Sequence, residues 1–351
     1  MQVEERFMAR CLELARHGAG HVAPNPMVGA VIVHNGEIIG EGFHRRCGEA
    51  HAEVNAIASV KNEKWFRWST LYVSLEPCSH YGKTPPCVDL IIRKRIPRVV
   101  IGCLDPFPEV SGQGVERLRK AGVQVITGVM EEEAKALNEV FMTFQTRERP
   151  FVTLKWAESA DGFIDYERMN TEEPKLFVSN LVTQIRSHKL RAESAAILVG
   201  TRTAMLDNPS LTTRCWAGTS PVRMAIDRDL KIPKQFHLLD GSAPTIIFTT
   251  CCEGRIGNTE YVLLDFKRPI VAQIMQALRR RKLTSLIVEG GTNMLQQFID
   301  AGCWDCAIVE KGTQEIGRGV RAPVLLDRMT EIQSFGGHSF IVYRHCGESL
   351  T

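Results

Sequence analysis

The chain has 351 residues with 43 Lys and Arg against 40 Asp and Glu, a net charge of +3, 24% charged and 44% apolar residues. Those are ordinary globular values, and the length predicts two domains, each able to bury its own core. Residues 1–149 carry 19 basic and 18 acidic side chains, which excludes the one-sided field of a nucleic-acid or membrane-surface binder. The first residues lack the apolar core of a signal peptide, and no run of about eighteen apolar residues occurs. A cytoplasmic protein is expected, with its 11 cysteines reduced.

In chain order, apolar positions at helical spacing predict a helix over 3–17, ended by Gly18. Pro24-Asn25-Pro26 turns the chain into a strand over 28–33, and Asn35-Gly36 predicts a hairpin into 37–43. A helix over 50–59, a strand over 70–75, a helix opening at Cys87 behind Pro85-Pro86, and a strand over 98–102 follow. Next come a helix over 112–121, a strand over 123–127 and one closing helix over 131–146. Strands alternating with helices imply a layered α/β sandwich. Arg147-Glu148-Arg149-Pro150 breaks the pattern, which places domains at 1–147 and 148–351.

His51-Ala52-Glu53, with Cys78 and Cys87 further on, supplies the residue types of a catalytic zinc site. Three protein ligands leave a fourth position for water, and Glu53 is then the natural general acid and base. Eight residues separate Cys78 from Cys87, longer than the usual Cys-x-x-Cys spacing, so the spacing by itself also fits two buried apolar thiols. The flanking pairs Pro77-Cys78 and Pro86-Cys87, at the ends of a strand and a helix, favour zinc. Asn25 is either a substrate contact or an Asx turn between two prolines. Asp105-Pro106-Phe107-Pro108 is either a pocket border or an ordinary turn. Cys303 and Cys306 lack a second ligand pair and are expected to be plain thiols.

After the break, strands are predicted over 151–156, 195–200, 222–226, 245–248, 261–264, 285–289 and 306–309, with helices over 181–192 and 270–281. The order fits a nucleotide-binding α/β domain, although no Gly-x-Gly-x-x-Gly loop is present. Val288-Glu289-Gly290-Gly291, leading from a strand into a helix, offers bare amides to a phosphate or forms a plain turn.

These motifs carry a resemblance. Pro24-Asn25-Pro26, Val28-Gly29, His51-Ala52-Glu53-Val54 and Glu76-Pro77-Cys78-Ser79-His80 through Thr84-Pro85-Pro86-Cys87 resemble the bifunctional deaminase and reductase of riboflavin biosynthesis. Lys155 to Gly162, Gly200 to Thr203, Leu206 to Thr212 and Glu289-Gly290-Gly291 are similar to that family's reductase half. The resemblance implies a cytidine deaminase-like α/β/α sandwich followed by a dihydrofolate reductase-like α/β domain. It implies zinc on His51, Cys78 and Cys87. NADPH would be bound by Ala157, Thr203, Asp207, Gly291, Thr292 and Asn293. Asn25, Arg191, Leu211, Arg214 and Glu289 would face a pyrimidine ribose phosphate, in a protein expected to be a homo-oligomer with no nucleic-acid or membrane partner. The implied reactions are zinc-dependent removal of an amino group from a 2,5-diamino-6-ribosylamino-pyrimidinone 5′-phosphate, then NADPH-dependent reduction of the ribose to a ribityl chain. The alternatives are a nucleic-acid or nucleoside base deaminase with an accessory nucleotide-binding domain, and a regulatory module whose zinc is structural. The segment 167–180 departs from the family, with Lys175 and Phe177 where a Ser and a Trp are common.

Overall fold

The computed structural model describes residues 3–81, 85–107 and 111–345. Gly82, Lys83 and Thr84 of the long cysteine loop, Pro108, and Cys346 lie outside the described residues. The chain divides into two units, Met1–Glu148 and Arg149–Thr351. No helix among the described residues is long and apolar enough to cross a membrane.

The first unit runs α1 (Val3–Arg16), β1 (Gly29–His34), β2 (Glu37–Phe43), α2 (Ala52–Ser59), β3 (Ser69–Leu75), α3 (Cys87–Arg93), β4 (Arg98–Cys103), α4 (Gln113–Lys120) and β5 (Gln124–Thr127). Its sheet has the order β2-β1-β3-β4-β5. The β1 strand is antiparallel to both neighbours, and β3, β4 and β5 are parallel. Side chains alternate across a strand, and here each face finds its own cover. Ile32, Leu71, Val73, Val99 and Ile101 pack against Ala56 of α2, Ile91 of α3 and Leu118 of α4. Val31, Val33, Tyr72 and Val100 pack on the other face against Phe7, Met8, Cys11 and Leu14 of α1. The result is a three-layer sandwich.

The predicted turn is seen at Asn35-Gly36, both with positive φ (49° and 77°), as the tight hairpin requires. At Gly42 of β2 a Cβ would stand 2.5 Å from Ala56 N, so glycine lets α2 lie directly on the strand. The expected single closing helix is instead two, α5 (Glu131–Leu137) and α6 (Glu139–Thr146). Asn138 separates them because its carboxamide turns aside to the main chain of Met27. Its Oδ1 accepts Met27 N–H at 2.8 Å and its Nδ2 donates to Met27 O at 2.9 Å.

The second unit runs β6 (Phe151–Glu158), β7 (Phe163–Asp165), α7 (Leu181–Ala192), β8 (Ala196–Val199), α8 (Thr201–Asp207), β9 (Val222–Ile226) and β10 (Thr245–Thr249). It continues through β11 (Gly254–Ile256), β12 (Thr259–Leu263), α9 (Ile270–Arg280), β13 (Ser285–Val288), α10 (Thr292–Asp300), β14 (Cys306–Lys311), β15 (Val320–Arg321), β16 (Met329–Phe335) and β17 (His338–Arg344). A sheet of ten strands has the order β11-β12-β10-β9-β8-β13-β6-β14-β17-β16. The seven strands from β12 to β14 in that order are parallel to their neighbours, and β11, β17 and β16 are antiparallel additions at the edges.

Both faces of the parallel part are covered. Val152, Leu154, Leu198 and Val288 join α9 and α10 residues such as Ile274 and Phe298, and Ile197, Val199 and Ile287 face Ala204 of α8. Near-continuous apolar strands are the consequence. The β16-β17 hairpin and the seven-residue α8 were not anticipated. β16 leaves Met329 and Ile332 exposed at a sheet edge, so its residues do not alternate as a half-buried strand would, and α8 is too short to show a period.

Candidate active sites

In the first unit, α2 starts on the sheet's edge and delivers His51 as its cap residue, in extended conformation. Pro86 caps α3, so Cys87 is that helix's first residue, and Cys78 leaves the end of β3. His51 Nδ1 stands 3.6 Å from Cys78 Sγ and 3.4 Å from Cys87 Sγ. All three ligand atoms lie within 4.8 Å of one another. Tetrahedral zinc, at ordinary bond lengths, sets nitrogen and sulfur about 3.6 Å apart, so this donor set fits the ion without rearrangement. The Cys87 N–H points to Cys78 Sγ at 3.3 Å. A hydrogen bond from the Cys87 thiol, then His51, hold Cys78 down at about 4, while the same bond and burial drive Cys87 up.

Glu53 lies in the first turn of α2 and is 3% exposed. Burial, then the charge on Cys78, push its carboxyl up to about 7. A carboxyl that exchanges its proton near neutrality is suited to proton transfer. His51, Glu53 and Cys78 line a cavity of about 690 Å³ together with Asn25. Asn25 does more than turn the chain, for its Nδ2 meets His44 Nε2 at 3.1 Å. The other ring nitrogen of His44 donates to Ala50 O at 3.1 Å, which fixes the tautomer and makes the Asn25 amide the donor. Burial lowers the His44 pKa and keeps the ring neutral.

Two further residues line this site: Glu76, which the sequence marks only as part of the resembling motif, and Asp105, whose loop fits either a pocket border or a turn. Glu76 is buried and accepts main-chain N–H groups from Asp105 (3.2 Å), Gly112 (2.9 Å), Gly114 (2.8 Å) and Val115 (3.1 Å). Asp105 lines the cavity beside it, with burial raising its pKa.

The second unit holds a cavity of about 1250 Å³. Its wall includes Ala157, Thr203, Asp207, Gly291, Thr292 and Asn293, as well as Arg191, Leu211 and Glu289. Arg214 is not on that wall; it is exposed on the adjoining segment, where its Nη1 donates to Thr212 Oγ1 at 3.2 Å. Glu289, Gly290 and Gly291 link β13 to α10. A Cβ on Gly290 would stand 2.8 Å from Val199 Cα, and Gly291 has φ 51°, so both glycines are needed for this approach.

Arg191 and Glu289 bond each other through Nη2–Oε2 at 2.6 Å and Nε–Oε1 at 3.3 Å. Burial opposes ionisation of Glu289, but the charges of Arg191 and Lys155 outweigh it and lower its pKa. Asp207 is held by Arg168 at 2.5 Å and Lys175 at 2.7 Å. Lys175, the departure from the family, thus meets the carboxylate on the cavity wall, and Phe177 lines the same wall while remaining 78% exposed.

A histidine and two cysteines beside a buried glutamate in an α/β/α sandwich, followed by a phosphate-ready glycine turn in a parallel sheet, define a deaminase-type unit joined to a reductase-type unit. Two family models match the chain. "Cytidine and deoxycytidylate deaminase zinc-binding region" covers residues 1–103, and "RibD C-terminal domain" covers 150–319. The chain is 39% identical over 324 residues to the riboflavin biosynthesis protein RibD of Aquifex aeolicus, covering 91% of this chain and 89% of that one. It is 33% identical over 365 residues to RibD of Escherichia coli, with 99% and 98% covered. A crystal structure of a diaminohydroxyphosphoribosylaminopyrimidine deaminase/5-amino-6-(5-phosphoribosylamino)uracil reductase from Thermotoga maritima matches with TM-score 0.89 at 38% identity, over 98% of this chain and 99% of that one. The chain belongs to the RibD family. Its first unit is cytidine deaminase-like and its second is the dihydrofolate reductase-like RibD reductase domain.

Proposed function

We propose that this is a bifunctional riboflavin biosynthesis enzyme with its activities divided at the 147/148 junction. The first unit hydrolyses an amino group from 2,5-diamino-6-ribosylamino-4(3H)-pyrimidinone 5′-phosphate. The second reduces the ribosyl group of the resulting 5-amino-6-(5-phosphoribosylamino)uracil. The observation that carries this reading is the convergence of His51, Cys78 and Cys87 beside Glu53, at separations that suit zinc. Action on nucleic-acid bases is not favoured, because relatives match the whole length and residues 1–149 are nearly neutral.

His51, Cys78 and Cys87 would hold zinc, which when bound supplies a Lewis acid that lowers the pKa of water. Glu53 takes one proton from the attacking water and passes it to the ring nitrogen, then takes the second proton from the hydroxyl left on the ring carbon and passes it to the departing amine. Its buried setting supplies the needed affinity for that proton. Asn25, oriented by neutral His44, presents its carboxamide to the ring.

In the second unit, the N-terminal amides of α10 at Thr292 and Asn293, behind Gly291, would cradle the diphosphate of NADPH, with Ala157, Thr203 and Asp207 around it. NADPH, when bound, supplies the hydride. Arg191 keeps Glu289 ionised and fixes its carboxylate toward the sugar, Leu211 packs against it, and Arg214 meets the phosphate. Lys155 lines the same cavity without a hydrogen-bond partner among the described residues, which suits it to donate a proton to the opening ribose. The ten described cysteines are free, as fits a reducing cytoplasm. The exposed edge strand β16 supports assembly into a homo-oligomer, which light scattering would measure.

The test is to give purified protein the diaminopyrimidine phosphate and follow ammonia and NADPH separately. Ammonia appearing without NADPH, and NADPH oxidation beginning only on its addition, is the expected result. Absence of ammonia release from zinc-loaded protein would overturn the reading.

A further inference from the structure

His188 of α7 is buried and belongs to no group assigned above. Its Nδ1 lies 2.9 Å from the main-chain nitrogen of Arg214. A backbone amide can only donate, so this ring nitrogen carries no proton and the neutral ring bears its hydrogen on Nε2. Three residues on, along the same helix face, Arg191 Nη1 donates to Thr212 O at 3.3 Å. The α7 helix therefore grips one short segment at two points.

That segment needs an external hold. Leu211 sits at φ 53°, a left-handed conformation that an L side chain adopts at a cost. Residues 208–221 contain neither helix nor strand. Arg214 is exposed, so packing does not fix it. Within the loop the Thr213 N–H donates to Ser220 Oγ at 3.1 Å, and His237 ties Asn208 at its start with an N–H to Oδ1 bond of 2.8 Å.

We propose that His188 is a positioning residue for the reductase reaction: by accepting the Arg214 N–H it holds Leu211 on the cavity wall and Arg214 at its rim, and only the neutral ring can do so. This rests on the reading above that Arg214 meets the substrate's phosphate. The groups facing His188 are Arg191 on its own helix, Arg214 on the gripped segment, Lys155 from β6 and Glu289 at the end of β13. Three of the four are cations. Burial, then Arg191 and Arg214, lower its pKa from 6.5. The ring is thus neutral above 6.5, and the grip is lost as pH falls through the lowered folded value. Protonation would set an Nδ1–H against the Arg214 N–H and add a fourth positive charge.

The experiment is steady-state kinetics of NADPH oxidation by the full chain with the aminouracil ribosyl phosphate, for wild type, His188→Ala, His188→Asn and Arg214→Ala across this pH range. Asparagine is the conservative variant, because its Oδ1 can take the place of Nδ1 and does not titrate. Expected for His188→Ala at neutral pH is a rise in substrate KM of about tenfold, the size of one lost buried hydrogen bond, with kcat and the KM for NADPH nearly unchanged. His188→Asn restores most of the affinity. The ratio of wild-type KM to that of His188→Asn, in which the ligand's own phosphate ionisation cancels, rises as pH drops below 6.5. A flat ratio, or equal KM values for the two His188 variants, overturns the proposal, as does a fall in NADPH affinity of equal size, which would mean general loss of structure. A raised KM in Arg214→Ala with a normal one in His188→Ala overturns the His188 role alone. A normal KM in Arg214→Ala overturns the phosphate reading and the proposal with it.

Discussion

Replacing Glu76 by Gln is expected to cost the deaminase unit more than any other isosteric change near its site. The carboxylate is 5% exposed and takes two N–H groups on each oxygen, from Asp105 and Gly112 on Oε2 and from Gly114 and Val115 on Oε1. Gly112, at the start of α4, has no side chain with which to cap the helix, so Glu76 does it from β3's end. Glutamine keeps one carbonyl oxygen and turns an NH2 group toward two other donors. Two charge-assisted hydrogen bonds are lost, each about 1.5–3 kcal/mol, or about 3–6 kcal/mol in all. Loss of the negative charge at the helix N-terminus adds about 0.5 kcal/mol. Against the 5–15 kcal/mol typical of a domain, that is a large fraction. The assay is urea inactivation of ammonia release together with amide hydrogen exchange over α4. A midpoint lower by about 1 M or more is expected, with protection lost first at Gly114 and Val115. A midpoint within about 0.3 M of wild type and unchanged protection would refute the reasoning.

Glu53→Gln should keep zinc and fold while ammonia release falls by at least about 10²-fold, the scale of a lost general acid and base; retained turnover would show that Glu53 is only packed there. Chelation of zinc from the native protein should abolish ammonia release and leave NADPH oxidation with the aminouracil substrate intact, and loss of both activities together would contradict separate sites. Glu289 offers a pH test. Burial raises its pKa, but Arg191 and Lys155 lower it further, to a net value below 4.5. Its contribution is therefore present above 4.5 and is lost as pH falls through the folded value. The denaturation midpoints of wild type and Glu289→Gln should differ at neutral pH and converge below 4.5; a constant difference would mean that Glu289 is not ionised in the fold.

The strands and helices of the first unit were legible because each buries a face whose period the residues display. The same logic failed over 131–146, where a helical period continues through Asn138 although that residue's bonds to Met27, 111 positions away, split the helix. The His51, Cys78 and Cys87 cluster was legible because zinc, its proposed ion, restricts its partners to few residue types, which a motif displays. His44, Glu76 and His188 were not. Each works through hydrogen bonds to partners that the fold brings near, and a buried polar residue of that kind leaves no period and no spacing. Arg191 and Glu289 were expected as separate substrate contacts. Their mutual ion pair depends on the distance between α7 and the end of β13, which no local pattern encodes.

The two units impose different electrostatic demands. Proton transfer at Glu53, as proposed, requires a carboxyl that can be either neutral or charged near pH 7; burial and the charge on Cys78 raise its affinity for the proton more than His51 lowers it. Glu289, enclosed but with 10% of its side chain exposed, does the opposite, because Arg191 at 2.6 Å and the charge of Lys155 favour its ionised form. The difference lies in the neighbour and not in the depth. An arginine set against Glu53 would lower its pKa, whereas removing Arg191 would raise that of Glu289 and leave Lys155 as the main charge favouring its ionised form. Burial thus raises the pKa of both carboxyls, and the sign of the neighbouring charge, a thiolate beside Glu53 and cations beside Glu289, sets the net direction.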